Sequence, residues 1–163
     1  IADEVGIGKG TIYKHFENKE AILAHFSKEG YLLLDQAIQE SLNNAQKGEA
    51  QVRAIAKAYW QFAATHVHHY RIMFGLGIPA CETINSSYEM KITSSHILEA
   101  ITNTLSIANN SIANEHQKLK TFWSMLHGFI AIELLSNNEI SKQIPETVED
   151  AVEGFIFTLK YNK

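Results

Sequence analysis

The chain has 163 residues, 45% of them hydrophobic, with a formal net charge of −4 and one cysteine. That length can bury a full core, as one compact domain with a small appended one. No apolar run is long enough to span a bilayer and no charged-then-apolar leader opens the chain, so a cytoplasmic protein without a membrane partner is expected. Cys81 has no partner for an internal disulfide, which suits a reducing compartment, and reads as a small buried residue. The acidic balance argues against nucleic acid until its distribution is considered. Between Ile7 and Lys19, three lysines (Lys9, Lys14, Lys19) face a single acid, Glu17, and His15 can add charge beside a phosphate.

The first 19 residues read as one and a half helices of a helix-turn-helix. Ile1, Ala2 and Val5 place an apolar stripe on one helix, Gly6 supplies a tight turn, and Ile7, Ile12 and Phe16 resume the stripe on a second. Lys9, Thr11, Tyr13, Lys14 and His15 lie between, forming the phosphate and base-edge face that a recognition helix offers to a major groove. A three-helix unit also needs a first helix to cover Ile1, Val5, Ile12 and Phe16, and Ile1 is not an initiating Met. The expectation is therefore that the native chain carries that helix before Ile1.

These residues carry a resemblance. Ile1, Ala2, Gly6, Ile7, Gly10, Thr11, Ile12, Tyr13, His15, Phe16, Lys19, Glu20 and Ile22 match, at fixed spacing, the hallmark of the TetR/AcrR family of one-component transcriptional regulators. Gly8 stands where that family usually has Ser; as an N-cap it costs only a few tenths of a kcal/mol by comparison (~0.3). The resemblance implies an all-α fold with a DNA-binding head over residues 1–19, its first helix missing, and a ligand-binding and dimerisation body over 20–163. It further implies DNA contacts by Gly8, Lys9, Gly10, Thr11, Tyr13, Lys14, His15 and Lys19, with Lys19 on a phosphate at a helix start.

Asn18 is a good N-cap for the next helix, about Lys19 to Gln46, which would join head to body. Its predicted buried stripe is Leu23, Phe26, Leu33, Ala37 and Ser41. Gly30 inside it reads equally as a hinge or as a point of close packing. Further helices are predicted at about Ala50–Val67, His69–Gly75 and Ser87–Ile107. After the Asn109, Asn110, Ser111 turn come Ser111–Leu135 and Pro145–Tyr161.

Trp123, His127 and Gly128 resemble the WHG subset of TetR-type C-terminal domains. In that family aromatic and soft residues line an effector pocket, which assigns ligand binding to Tyr59, Trp60, Phe62, His66, Tyr70, Met73, Phe74, Trp123 and His127. A small, mostly apolar effector would suit them. The penultimate helix is apolar on nearly all sides, so a second chain is expected to cover one of them. Ser124, Gly128, Ala131 and Leu135, with Val148, Val152, Gly154 and Phe155 of the last helix, form the predicted homodimer interface, a four-helix bundle on a twofold axis.

His66 and His69 share a face at i and i+3 but lack a nearby carboxylate or thiol, so no metal site is assigned, and His68 and His69 are expected to cap a helix end. No nucleophile elbow, phosphate loop or paired helical carboxylates appear, so no catalytic residue or cofactor is predicted. The expected function is a dimeric repressor on a pseudo-palindromic double-stranded DNA operator, released by a small-molecule effector. The alternatives are a dimeric ligand-binding or protein-interaction module without DNA binding, and a catalytic bundle using His and Glu133.

Overall fold

The computed structural model describes residues 15–75, 88–137 and 140–161, which contain six α-helices and no strand. In chain order they are α1 (Lys19–Leu42), α2 (Glu49–Thr65), α3 (Val67–Met73), α4 (Tyr88–Ile107), α5 (Glu115–Asn137) and α6 (Glu146–Tyr161). No helix among the described residues is long and apolar enough to cross a membrane.

Helix α1 starts where its cap dictates. Asn18 is extended (φ −157°), and its Oδ1 accepts from the Ala21 N–H at 2.7 Å, satisfying one of the orphan donors of the first turn. The helix stops at Leu42 rather than Gln46. Asn43 caps it, and a short turn leads to Gly48. Gly48 has φ 96°, a left-handed conformation that side chains resist, and a Cβ there would lie 2.8 Å from Ile107 Cδ1. The Gln51 amide oxygen accepts from Gly48 N–H and fixes the start of α2.

The buried face of α1 is Leu23, Ser27, Gly30, Tyr31, Leu34 and Ile38. This lies one residue away from most of the predicted stripe. Phe26 is exposed, and Leu33, Ala37 and Ser41 are only partly covered. At one point of that face α1 crosses α3 so closely that only a glycine fits at the contact. A Cβ on Gly30 would lie 2.5 Å from Met73 Sδ and 3.2 Å from His69 Cβ. Gly30 is therefore a point of close helix approach.

Helix α2 is the central element, packed against α1, α3, α4, α5 and α6. Val52, Ile55, Ala56, Tyr59, Trp60, Phe62 and Ala63 bury most of its circumference. A single residue, His66 (φ −118°, ψ 48°), separates it from α3. The expected cap role for His68 and His69 is corrected accordingly: both lie inside α3, where His68 is exposed and His69 Nε2 stands 3.3 Å from Glu29 Oε2 of α1.

Helix α4 buries Ile97, Ala100, Ile101 and Leu105 together with Thr93 and Thr104, whose hydroxyls donate back to the Glu89 and Ala100 carbonyls. Asn109, with φ 53°, ends the run. Asn110 then holds the loop: its Oδ1 accepts from Ile112 and Ala113 N–H, and its amide donates to the Leu159 carbonyl at 2.9 Å. Those bonds keep residues 111–114 out of the helix. Helix α5 consequently starts at Glu115, capped by Asn114, rather than at Ser111.

Along α5 a stripe of Phe122, Leu126, Ile130 and Leu134 is buried against the body. On α6, Val148, Val152, Phe155, Ile156 and Leu159 do the same. Outside, the Arg53 fork holds Glu153 and Glu49, and Lys160 holds Glu49 at 2.7 Å, so charges clip α2 to α6 at the surface.

Candidate functional site

Of the residues expected to meet DNA, Gly8, Lys9, Gly10, Thr11, Tyr13 and Lys14 lie outside the described residues. His15 and Lys19 are exposed. Lys19 is the first residue of α1, directly after the Asn18 cap, where free N–H groups and an ammonium both attract an anion. The Phe16 ring packs edge-on against His25 at 5.4 Å, tying this end of the molecule to α1.

In the body, α2, α3 and α5 bring seven of the nine expected ligand-site residues into one aromatic cluster. Tyr59 lies edge-on to Tyr70 (6.0 Å between centroids) and to Trp123 (6.3 Å). Phe62 packs on His66 and Tyr70, and His127 stacks on Tyr70 and Phe74. Trp123 and His127 meet the same cluster because they are one turn apart on α5. Both are only partly buried, as are His66 and Phe74, so they form its outer rim.

The polar atoms of this cluster are few and uncharged. Tyr70 Oη and His127 Nδ1 share a hydrogen bond of 2.7 Å. Burial pulls His127 below the usual histidine value, and burial with the nearby His69 does the same to His66, so both rings are held neutral. Burial raises the Tyr59 and Tyr70 hydroxyls and keeps them protonated. Tyr59 Oη is fully enclosed and makes no hydrogen bond of ordinary geometry; the polar groups acting on it belong to Tyr70 and Trp123.

The other two residues stand apart. Trp60 is turned to the opposite task, its indole N–H donating to the Ser141 carbonyl at 2.8 Å and its ring 1% exposed. It anchors the segment before α6. Met73 is wholly buried beneath Gly30 and serves the α1–α3 contact.

Sequence reasoning passed over Tyr31, buried on α1 with its ring 6.2 Å from Phe74. It also missed a run of ring contacts, Phe16–His25–Phe26–His69–His66–Phe62, leading from the start of α1 into the cluster. The signal was available as the adjacent His25 and Phe26 on α1, whose rings lead to His69 in the HVHHYR segment. Alongside, a groove of about 460 Å³ between α1 and α2 reaches from solvent to Phe62 and His66, with Leu33, Ala37 and Ala58 on its walls.

The expected dimer surface divides. Val148, Val152 and Phe155 belong to the chain's own core, at 5% exposure or less, so they are corrected to intrachain packing. Their α6 stripe faces α2, α4 and α5. Ser124, Gly128, Ala131 and Leu135 lie on a different side of α5, at least partly exposed. A Cβ at Gly128 or Gly154 would meet nothing within 4 Å, and Ile132, Leu135, Phe157 and Tyr161 are all more than half exposed around them.

The described residues thus form an all-helical body whose first helix, α1, directly follows a stretch of sequence rich in basic residues. Two family models match the chain: bacterial regulatory proteins of the tetR family over residues 1–26, and the tetracyclin repressor-like C-terminal domain over residues 52–155. The chain belongs to the TetR family of regulators. A protein of unknown function from Rhodococcus sp. RHA1 has a similar structure, with a TM-score of 0.71 at 20% identity, covering 98% of this chain and 82% of that one. The candidate regulatory protein SCO4313 superposes with a TM-score of 0.59 at 15% identity, covering 97% and 81%. At those identities the likeness is one of fold. No curated protein matches the chain.

Proposed function

We propose that this protein is a ligand-responsive transcriptional regulator, acting as a homodimeric repressor on a pseudo-palindromic operator and released by a small, mostly apolar effector. The observation that carries the reading is the position of one helix: α1 begins inside the stretch that matches the tetR family and packs directly on α2, α3 and α4. A shift of the aromatic cluster reaches the head through α1 and changes the spacing of the two heads. Only a difference in ligand affinity between two spacings is required, and a few kcal/mol (~3) is enough to redistribute them.

Dimerisation rests on the open apolar side of α5 and α6, where glycines at 128 and 154 leave room for another helix. Two heads about one DNA turn apart are what a palindromic site requires. Thr11→Ala should relax base preference. Lys19→Ala should weaken binding on every sequence and lower the salt slope by about one. Fluorescence anisotropy with the DNA upstream of the gene, across a salt series, checks both. An unchanged salt slope for Lys19→Ala removes it from the phosphate contacts, and absence of any specific binding overturns the regulator reading.

A further inference from the structure

We propose that His96 and Asp35 form a proton-operated clamp between α4 and α1: protonation of the imidazole charges the pair and seats α1 more firmly on the body. The inference goes beyond the regulator reading and holds whether or not the chain binds DNA.

The geometry of the pair carries it. Asp35 lies on α1 and His96 on α4, two helices packed directly on each other. One carboxylate oxygen, Asp35 Oδ2, accepts from Gln39 Nε2 at 2.6 Å. The other, Oδ1, is enclosed and accepts no hydrogen bond, and His96 Nε2 stands 3.4 Å from it. Both side chains are mostly covered, Asp35 at 15% exposure and His96 at 27%, so water and salt screen a charge here less than at an open surface. A neutral ring leaves Oδ1 unmatched, whereas an imidazolium gives it a counter-charge.

The charged groups that the surrounding elements bring to α4 lie further along it. The polar contacts of α4 with α2 and α5, Asn103 to Gln51 and Thr102 to Glu115, fall more than a turn beyond His96. Lys160 of α6 shares a groove with Thr104 and Ile107 at the far end of the helix. On α4 itself, Glu99 is exposed. The neighbouring charge contact between α1 and α4 is Lys28 to Glu89 at 3.2 Å, two turns before Asp35. A second imidazole–carboxylate contact, His69 to Glu29 at 3.3 Å, joins α1 to α3, but its carboxylate is half exposed and solvent weakens it. The enclosed pair is therefore the one on which the inference rests.

Histidine is the side chain that changes charge between pH 5 and 8, and in an unfolded chain it does so near 6.5. Because the imidazolium meets Asp35 only in the folded chain, the clamp's contribution is present below about pH 6.5 and lost as the pH rises past it. The sign is opposite to that of His66 and His127, where burial disfavours the charged ring, and the clamp offsets part of their loss. A double-mutant cycle cancels those two rings and isolates the pair.

His96→Gln, Asp35→Asn and the double variant, unfolded in urea at pH 8 and pH 5.5, supply that cycle. The coupling should be about fivefold in the unfolding constant at pH 5.5 and under about 1.5-fold at pH 8. The same cycle on Lys28 and Glu89, whose residue types keep their charge across this range, should give equal coupling at both pH values. Amide hydrogen exchange reads the seating of α1 directly. The protection that His96→Gln removes should be greater at pH 5.5 than at pH 8 and concentrated on α1 and α4. Coupling that is absent at pH 5.5 or equal at the two pH values overturns the proposal. So does a Lys28–Glu89 coupling that changes with pH, or a loss of protection spread evenly over the helices. Should Asp35→Asn fail to fold, exchange in His96→Gln decides by the same criterion. Neither measurement uses DNA, so its outcome is independent of the operator experiment.

Discussion

Two sides of α5 differ in composition and have different fates. Phe122, Leu126, Ile130 and Leu134 repeat every four residues, and all four are buried against the body. Ser124, Gly128, Ala131 and Leu135 repeat at four, three and four, yet Leu135 is 82% exposed. The difference lies in side-chain size. The inner stripe is built of large residues that fill space within one chain, while the outer one keeps its middle small, which leaves room for the second helix that the proposed dimer would bring.

The sharpest way to break this comparison is a large charge on the outer side. Gly128→Arg should convert a dimer to monomers at micromolar concentration while the monomer stays folded, since its Cβ position meets nothing within 4 Å. Sedimentation velocity and circular dichroism read the two effects separately. A variant that unfolds would place Gly128 in the chain's own packing. On the inner side, Leu126→Ala should destabilise the fold by roughly 2–5 kcal/mol through lost burial and a cavity. Urea denaturation measures it, and a loss under about 1 kcal/mol would mean the inner stripe is loosely packed.

How far these features were legible from the sequence depended on what the residues had to do locally. Helix existence, the Asn18 cap and the aromatic gathering around Tyr59, Tyr70 and His127 follow from spacing and from chemistry within a few residues. The start of α5 did not, because Asn110 reaches Leu159, far along the chain, and holds residues 111–114 outside the helix. On α1, Ser27 and Gly30 were missed because an apolar count ignores them, and without them the stripe through Tyr31, Leu34 and Ile38 was set one residue off. Assigning Val148, Val152 and Phe155 to a partner chain failed because an amphipathic stripe does not say whose core it enters.

A second pair of residues sharpens the contrast on a smaller scale. Gly30→Ala gains up to about 1 kcal/mol of helix propensity but drives a Cβ into Met73 and His69. Met73 can bend away, whereas His69 Cβ sits close to its backbone and cannot. Overpacking of this kind costs roughly 1–3 kcal/mol, so a net loss of about 1 kcal/mol is expected. Gly128→Ala meets no such obstacle and should stabilise the monomer. Equal melting temperatures for the two variants would dissolve the distinction between a packed glycine and an open one.

The smallest effect concerns pH. His66 and His127, at the rim of the cluster, are held below the ordinary histidine value of 6.5, chiefly by burial, while the unfolded chain titrates near that value. As pH falls through 6.5 the unfolded state therefore takes up protons before the native state does. Stability from these two rings is complete above 6.5 and declines as pH drops toward their depressed folded values. Urea midpoints at pH 8, 7, 6 and 5 should begin to fall only below pH 7. His127→Gln, which keeps an acceptor for Tyr70 Oη, should make that fall shallower. A midpoint that rises toward pH 5, or a slope that His127→Gln leaves untouched, would show that the rim histidines are solvated rather than part of the dry aromatic cluster, and the side of α5 bearing Trp123 and His127 would then belong with its open surface.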